Sequence, residues 1–263
     1  MPKRALVADN DFFFVEFLAE LLEKRGYEVL KAYDGKEGLS KLESGAVDIV
    51  FVDMVMPKID GREMIKVIRH RSPDASFPIV AISGTFIEQL DQIHTTGADF
   101  FIVKGPLEQM SIHVERFMDQ VERNGFSTEK LERLIEPGEM YPRQTTLELV
   151  EHLNYQKCVL ESMGVGVMIL DKDAGIISIN PVALELMERS FEEVLNTPVT
   201  SMFPKGERPR LIDALKAVAQ DPSLKSTPVD VSGPAKPLRA VVSLLRIEQD
   251  PQGWILVLVE REG

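Results

Sequence analysis

The chain has 263 residues, 44% of them hydrophobic and 27% charged, which describes a folded globular protein of one large or two ordinary domains. Its net charge of −12 argues against a dedicated nucleic-acid surface, which would want a basic patch. The single cysteine, Cys158, has no partner for an internal disulfide, and no apolar run approaches the roughly 20 residues of a membrane helix. The expectation is a cytoplasmic protein with no membrane partner.

Taken in order, Ala5–Ala8 reads as a short buried strand, followed by a capping run, Asp9-Asn10-Asp11. Phe13, Phe14, Phe17, Leu18, Leu21 and Leu22 then recur at helical spacing, and the adjacent phenylalanines read as core. Gly26 is placed to end that helix in a left-handed turn. Residues 27–32 suggest a more polar, edge-type strand, and Asp34-Gly35 turns the chain into a helix carrying Leu39 and Leu42.

The stretch from Asp48 to Gly61 organises this half. Ile49-Val50-Phe51-Val52 is a continuous apolar run, as expected of a strand covered on both faces, and it ends on Asp53. A helix over 62–70 follows. Residues 78–82 read as a fourth strand ending at Ser83, then a helix near 87–95, then a fifth strand over 100–103 ending at Lys104. A last helix spans 107–121 with Met110, Val114, Phe117 and Val121 on one side.

Strands alternating with helices predict an α/β domain with one doubly wound parallel sheet. Four strands end in a polar residue of useful chemistry: Asp9, Asp53, Ser83 and Lys104. In open α/β sheets the reacting groups lie in the crevice beyond the carboxyl ends of the strands. A carboxylate there can act as a nucleophile toward phosphorus. Asp9, Asp53 and either Asn10 or Asp11 offer hard oxygens of the kind Mg2+ takes, and the backbone carbonyl of Val55 completes a candidate set. Lys104 and the Ser83 hydroxyl would meet phosphoryl oxygens.

These residues resemble the receiver domain of two-component response regulators. The resemblance rests on Leu6 to Asp11, Tyr33-Asp34-Gly35, Asp48 to Gly61, Ala81 to Gly84, and Gly97 to Lys104. It implies the flavodoxin-like strand order 2-1-3-4-5. It also implies phosphoryl transfer to Asp53 from a partner histidine kinase or phosphotransfer protein, with Ser83 and Phe101 as switch residues. Two departures stand out. Asn10 occupies the second position of a usual acid pair, so weaker metal binding is expected, with Asp11 supplying part of the missing field. Gly105 separates Lys104 from Pro106, where the family usually has Lys followed directly by Pro.

Asn124-Gly125 closes this half, and 125–160 read as a helical connector. Leu149, Leu153, Gln156, Leu160 and Met163 form a heptad-like seam, for which packing on the chain's own next domain and a parallel homodimer are the two readings. Beyond it, 164–171 and 176–179 read as a hairpin. Asn180-Pro181 opens a short helix, Ser190 and Glu193 form a capping-box pattern, a longer helix follows Pro204, and three strands close the chain at 227–231, 238–247 and 254–260. This α+β pattern resembles a PAS domain, carried by Leu160 to Val167, Asp171 to Gly175, Ile179 to Ala183, Ser190 to Leu195 and Trp254 to Arg261. That family sometimes holds haem, flavin or a metabolite.

His70, His94, His113 and His152 all precede the PAS core, as does Cys158. Histidine-ligated haem and the cysteinyl-flavin chemistry of LOV domains are therefore excluded there, and the expectation is no ligand, or an unidentified small apolar one. The boundaries expected are a receiver at 1–124, a connector at 125–160 and a PAS domain at 161–263. The chain is read as a signalling protein rather than an enzyme, passing its signal to an unknown output protein. The alternative is a phosphorylation-silent receiver–PAS scaffold that signals by protein or small-ligand binding.

Overall fold

The structure is a computed structural model that describes residues 2–73, 77–83, 97–124, 158–221, 223–247 and 250–261. The chain forms two compact units, Met1–Val150 and Glu151–Gly263.

The first unit holds β1 (Arg4–Ala8), α1 (Phe12–Lys24), β2 (Glu28–Ala32), α2 (Gly35–Glu43), β3 (Ile49–Asp53), α3 (Gly61–Arg71), β4 (Ile79–Ser83), β5 (Phe100–Val103) and α4 (Leu107–Asn124). The strands are parallel in the order β2-β1-β3-β4-β5. Every residue of β3 and β4 is buried, as a strand covered on both faces requires, whereas edge strand β2 buries only Ala32 fully. The expected helix near 87–95 lies outside the described residues, as do 125–157 of the expected connector. Met110, Val114 and Phe117 of α4 join Val7, Phe51, Ile82 and Ile102 in one apolar cluster. Met64, Ile65 and Ile68 are buried on α3.

Local chemistry sets where three helices begin. Asp11 caps α1, accepting from the N–H groups of Phe13 at 2.9 Å and Phe14 at 3.3 Å. Asp34 caps α2 by accepting from Glu37 N–H, and Asp60 with Glu63 forms a reciprocal capping box on α3. Arg25 is the last residue of α1's cap and Gly26 follows at φ 83°, the left-handed turn expected there.

The core reading of the three adjacent phenylalanines needs correcting. Phe14 is buried, but Phe12 and Phe13 are 55% and 81% exposed. Successive residues are about 100° apart on a helix, so three neighbours cannot share a face; Phe14, Val15, Leu18 and Leu22 form the buried one. Phe12 stacks on Tyr33, with centroids 5.9 Å apart, and Phe13 packs edge-on against Phe12.

The second unit holds β6 (Gly166–Asp171), β7 (Ile176–Ile179), α5 (Pro181–Met187), α6 (Phe191–Val194), a 3-10 turn (Val199–Met202), α7 (Arg208–Gln220), β8 (Ser226–Ser232), β9 (Pro237–Ile247) and β10 (Asp250–Glu260). The sheet is antiparallel in the order β7-β6-β10-β9-β8. Met168, Leu256, Val242 and Leu258 belong to a cluster with Leu211, Leu215 and Val218 of α7. The Ser190–Glu193 capping box forms as read from the sequence. Trp254 is a packed strand residue whose indole N–H donates to Leu215 O at 3.0 Å. β10 starts four residues earlier than expected, because pairing continues from Asp250 through a register shift between Pro251 and Gly253.

Asn180 organises the entry to this unit. It is 4% exposed, and its Oδ1 accepts from Val167 N–H at 2.8 Å and Ala183 N–H at 3.0 Å. Its Nδ2 donates to Leu160 O at 3.0 Å and Val165 O at 2.9 Å.

Candidate functional site

Four strand ends meet in one crevice. Asp9 follows β1, Asp53 ends β3, Ser83 ends β4 and Lys104 follows β5. With β3 between β1 and β4, the parallel order brings these ends to one edge of the sheet. Asp9, Asp53 and Ser83 are 1%, 4% and 4% exposed. Lys104 Nζ lies 2.7 Å from Asp9 Oδ2 and 3.2 Å from Asp53 Oδ2, so one ammonium joins both carboxylates. The Lys104 backbone is held too: its N–H donates to Ser83 O at 2.8 Å.

Burial dominates the electrostatics of Asp53. Desolvation, reinforced by the nearby Asp9 charge, pushes the Asp53 carboxyl up to about 6 from its ordinary value of 3.8; Lys104 and the Val55 N–H pull the other way. One lysine therefore offsets only part of the charge of two buried carboxylates. These hard oxygens, short of positive charge, fit a small divalent cation in chemistry.

The remaining candidates sit at different depths. Asn10 is exposed on the turn between β1 and α1, and Val55 is 43% exposed just past β3. Asp11 is committed elsewhere: its carboxylate caps α1, and its N–H donates to Asp9 Oδ1 at 2.9 Å. It orients Asp9 and caps a helix, which leaves less of its charge for the field expected of it. Phe101 is half-buried on edge strand β5, where it pairs with Ala81. Among the described residues, no group of three or more His, Cys, Asp or Glu side chains gathers as a metal site, so any cation here draws on amide or backbone oxygen or on water.

Two contributors to the site were not picked out from the sequence. Gly61 packs so close to Asp53 that a Cβ would come within 2.2 Å of Asp53 O and 2.8 Å of Met54 Cα. In the sequence it only closed the Asp48–Gly61 stretch, with no role of its own in the site. Phe14 places its ring under the Lys104 ammonium, 4.7 Å from Nζ to centroid. Its spacing with Leu18 and Leu22 signalled core alone.

A five-stranded parallel sheet with two acids and a lysine gathered at its carboxyl edge defines a receiver-type α/β module, here followed by an antiparallel α+β unit. The model for the response regulator receiver domain matches residues 5–115, and that for the PAS fold matches 160–261. CheY of Thermotoga maritima is 34% identical over 105 residues, covering 40% of this chain and 87% of that protein. The Bacillus subtilis alkaline phosphatase synthesis transcriptional regulatory protein PhoP is 35% identical over 106 residues, 40% of this chain and 43% of its own length. Among solved structures, the response regulator TrrA of Thermotoga maritima in complex with Mg2+–BeF is 30% identical, covers 43% of this chain and 97% of that one, and superposes with a TM-score of 0.38. The chain belongs to the response regulator receiver family and carries a PAS domain after the receiver. It spans under half the length of several curated relatives that it matches. Among the described residues, no helix is long and apolar enough to cross a membrane.

Proposed function

We propose that this protein is a phosphorylation-controlled switch that accepts a phosphoryl group on Asp53 from a histidine kinase or phosphotransfer protein. The observation that carries this reading is the convergence of buried Asp53 and Asp9 on one lysine at the carboxyl edge of a parallel sheet. An Asp53 carboxylate oxygen forms a bond to phosphorus while the P–N bond of the donor's phosphohistidine breaks. The electron pair stays on the imidazole nitrogen, and Asp53 becomes an acyl phosphate.

The reaction needs charge neutralisation and alignment more than covalent help from the protein. Lys104 is already 3.2 Å from the acceptor oxygen and would turn its ammonium to a phosphoryl oxygen. The Ser83 hydroxyl would donate to another, and Phe101 would change rotamer as Ser83 shifts. Val55 N–H holds the acceptor carboxylate in place. Asp9, Asn10, Asp53 and the Val55 carbonyl would hold Mg2+, which supplies positive charge to the transferring group when bound. Asn10 contributes oxygen without charge, so metal affinity is expected to be modest.

The assignment extends to a cytoplasmic protein with a receiver at 1–124, a connector at 125–160 and a PAS module at 161–263. The PAS module would act by protein contact, with a second copy or an output protein, rather than by enzyme chemistry. Met168, Val199, Phe203, Leu215 and Val242 pack into one core cluster in this unit. The uncharged Asn10 favours the rival reading, a silent receiver serving as a scaffold.

One experiment separates them: intact mass after incubation with acetyl phosphate and Mg2+, beside Asp53→Asn. One added phosphoryl group that disappears in the variant supports the switch. No addition to the folded protein, either from acetyl phosphate or from a phosphorylated histidine kinase, sinks it.

A further inference from the structure

We infer that Phe14 is a positioning residue: its ring face holds the Lys104 ammonium between Asp9 and Asp53. This rests on the phosphoryl-acceptor reading of Asp53 for its effect on rate, but not for the contact itself.

The ammonium carries three N–H bonds, and three contacts place it among the described residues. Asp9 Oδ2 lies at 2.7 Å, Asp53 Oδ2 at 3.2 Å and the Phe14 ring centroid at 4.7 Å. A ring face is electron-rich and attracts a cation at this range, more so where water is partly excluded. Phe14 is 6% exposed and the Lys104 side chain 23%, so the contact is largely shielded.

The need for such a hold follows from the backbone. Lysine has a flexible four-carbon stem. Gly105 comes next, where a Cβ would find nothing closer than Gln109 Oε1 at 3.9 Å. The Lys104 N–H is tied to Ser83 O, which fixes the backbone and leaves the stem to be placed by its side-chain contacts. Phe14 itself is braced twice. Its ring belongs to the cluster with Val7, Phe51, Ile82 and Met110, and its N–H donates to Asp11 Oδ1. Asp11 in turn donates its own N–H to Asp9. The closed circuit Asp9–Asp11–Phe14–Lys104–Asp9 ties the cation to the same helix start that orients its counter-charge.

The test uses the full chain in two arms. In the first, the Lys104 ε-methylene proton signal of the metal-free wild type, assigned as the one lost in Lys104→Arg, is measured by NMR. The ring displaces it upfield. The displacement persists in Phe14→Tyr and disappears in Phe14→Leu. An ordinary lysine shift in the wild type overturns the contact, whether or not the Phe14 variants fold. In the second arm, the rate of acetyl-phosphate labelling is measured for variants whose thermal melting shows them folded. Phe14→Leu is expected to be about fivefold slower at saturating Mg2+, roughly 1 kcal/mol, and Phe14→Tyr to restore the rate. Equal rates for wild type and Phe14→Leu overturn the positioning role even if the contact is real. If the wild type takes no label from any donor, the acceptor reading fails, and the NMR arm alone upholds or overturns the placement of Lys104.

Discussion

Lys104 Nζ lies closer to Asp9 than to the proposed acceptor, at 2.7 Å against 3.2 Å. The cation is thus held more closely by Asp9, and on the proposed reading the longer contact to Asp53 is the one exchanged for a phosphoryl oxygen. Asp9 is in turn fixed by the Asp11 N–H at 2.9 Å. Removing the ammonium with Lys104→Met leaves two carboxylates, each at most 6% exposed in its side chain, facing each other without a counter-charge. The cost at pH 8 is expected to be roughly 3 kcal/mol, as for breaking other buried pairs. Thermal melting with and without Mg2+ checks it: Mg2+ should raise the variant's melting temperature more than the wild type's. Equal Mg2+ responses would count against the charge argument.

The raised Asp53 pKa sets a pH dependence of definite sign. Between the ordinary value of 3.8 and the folded value of about 6, the folded chain binds this proton more tightly than the unfolded chain. Stability from this group is therefore greatest at low pH, falls as pH rises through about 6, and then levels off. At about 1.36 kcal/mol per unit, the metal-free cost above pH 7 is on the order of 3 kcal/mol. Asp53→Asn removes that cost. Urea denaturation without Mg2+ should find the variant more stable than wild type at pH 8, with the gap narrowing toward pH 5. A gap that does not change with pH would refute the desolvation account.

Gly61→Ala should damage the site without touching its chemistry. The added methyl would meet Asp53 O at 2.2 Å and Met54 Cα at 2.8 Å, and backbone atoms cannot swing aside as a side-chain tip can. The expected loss is about 1–3 kcal/mol, as for overpacking elsewhere, with slower labelling of Asp53 as the loop shifts. Gly206→Ala, where a Cβ meets nothing within 4 Å, is the matched control and should change neither. Melting curves and labelling rates for the pair decide the point.

These contrasts show which parts of the fold can be read from the chain. β3 was legible because Ile49 to Val52 must be apolar on both sides of a buried strand, and the edge position of β2 was legible because Glu28 and Lys31 cannot be buried there unpaired. Asp9, Asp53, Ser83 and Lys104 were legible because each type serves phosphoryl chemistry and each falls at a strand end. Phe13 was misplaced because an aromatic run satisfies several helix phases at once, and only the sheet selects one. Gly61 and Phe14 were missed as site residues for a different reason. Their roles depend on atoms that chain order places far away: Phe14 meets Lys104 across the sheet, 90 positions on. A residue's local pattern records its burial, whereas its partner is set by topology.

Asn180 tests the same principle in the PAS unit. In sequence it is a helix cap before Pro181, and a cap changed to alanine typically costs about 1 kcal/mol. In the fold it also bridges Val167 N–H, Leu160 O and Val165 O from a position 4% exposed. Asn180→Ala leaves these groups without their partner, at about 1–3 kcal/mol for each one that water cannot reach. The expected destabilisation is therefore roughly 3 kcal/mol or more, well above that of a cap alone. Trp254, the chain's single tryptophan, sits on β10 beside α7 and reports unfolding of this unit by fluorescence in the full-length protein. Ser190→Ala, which removes an exposed cap from α6, provides the scale, with an expected loss of about 1 kcal/mol. If urea midpoints for the two variants coincide, Asn180 is only a cap, and the Leu160 and Val165 carbonyls find solvent without it.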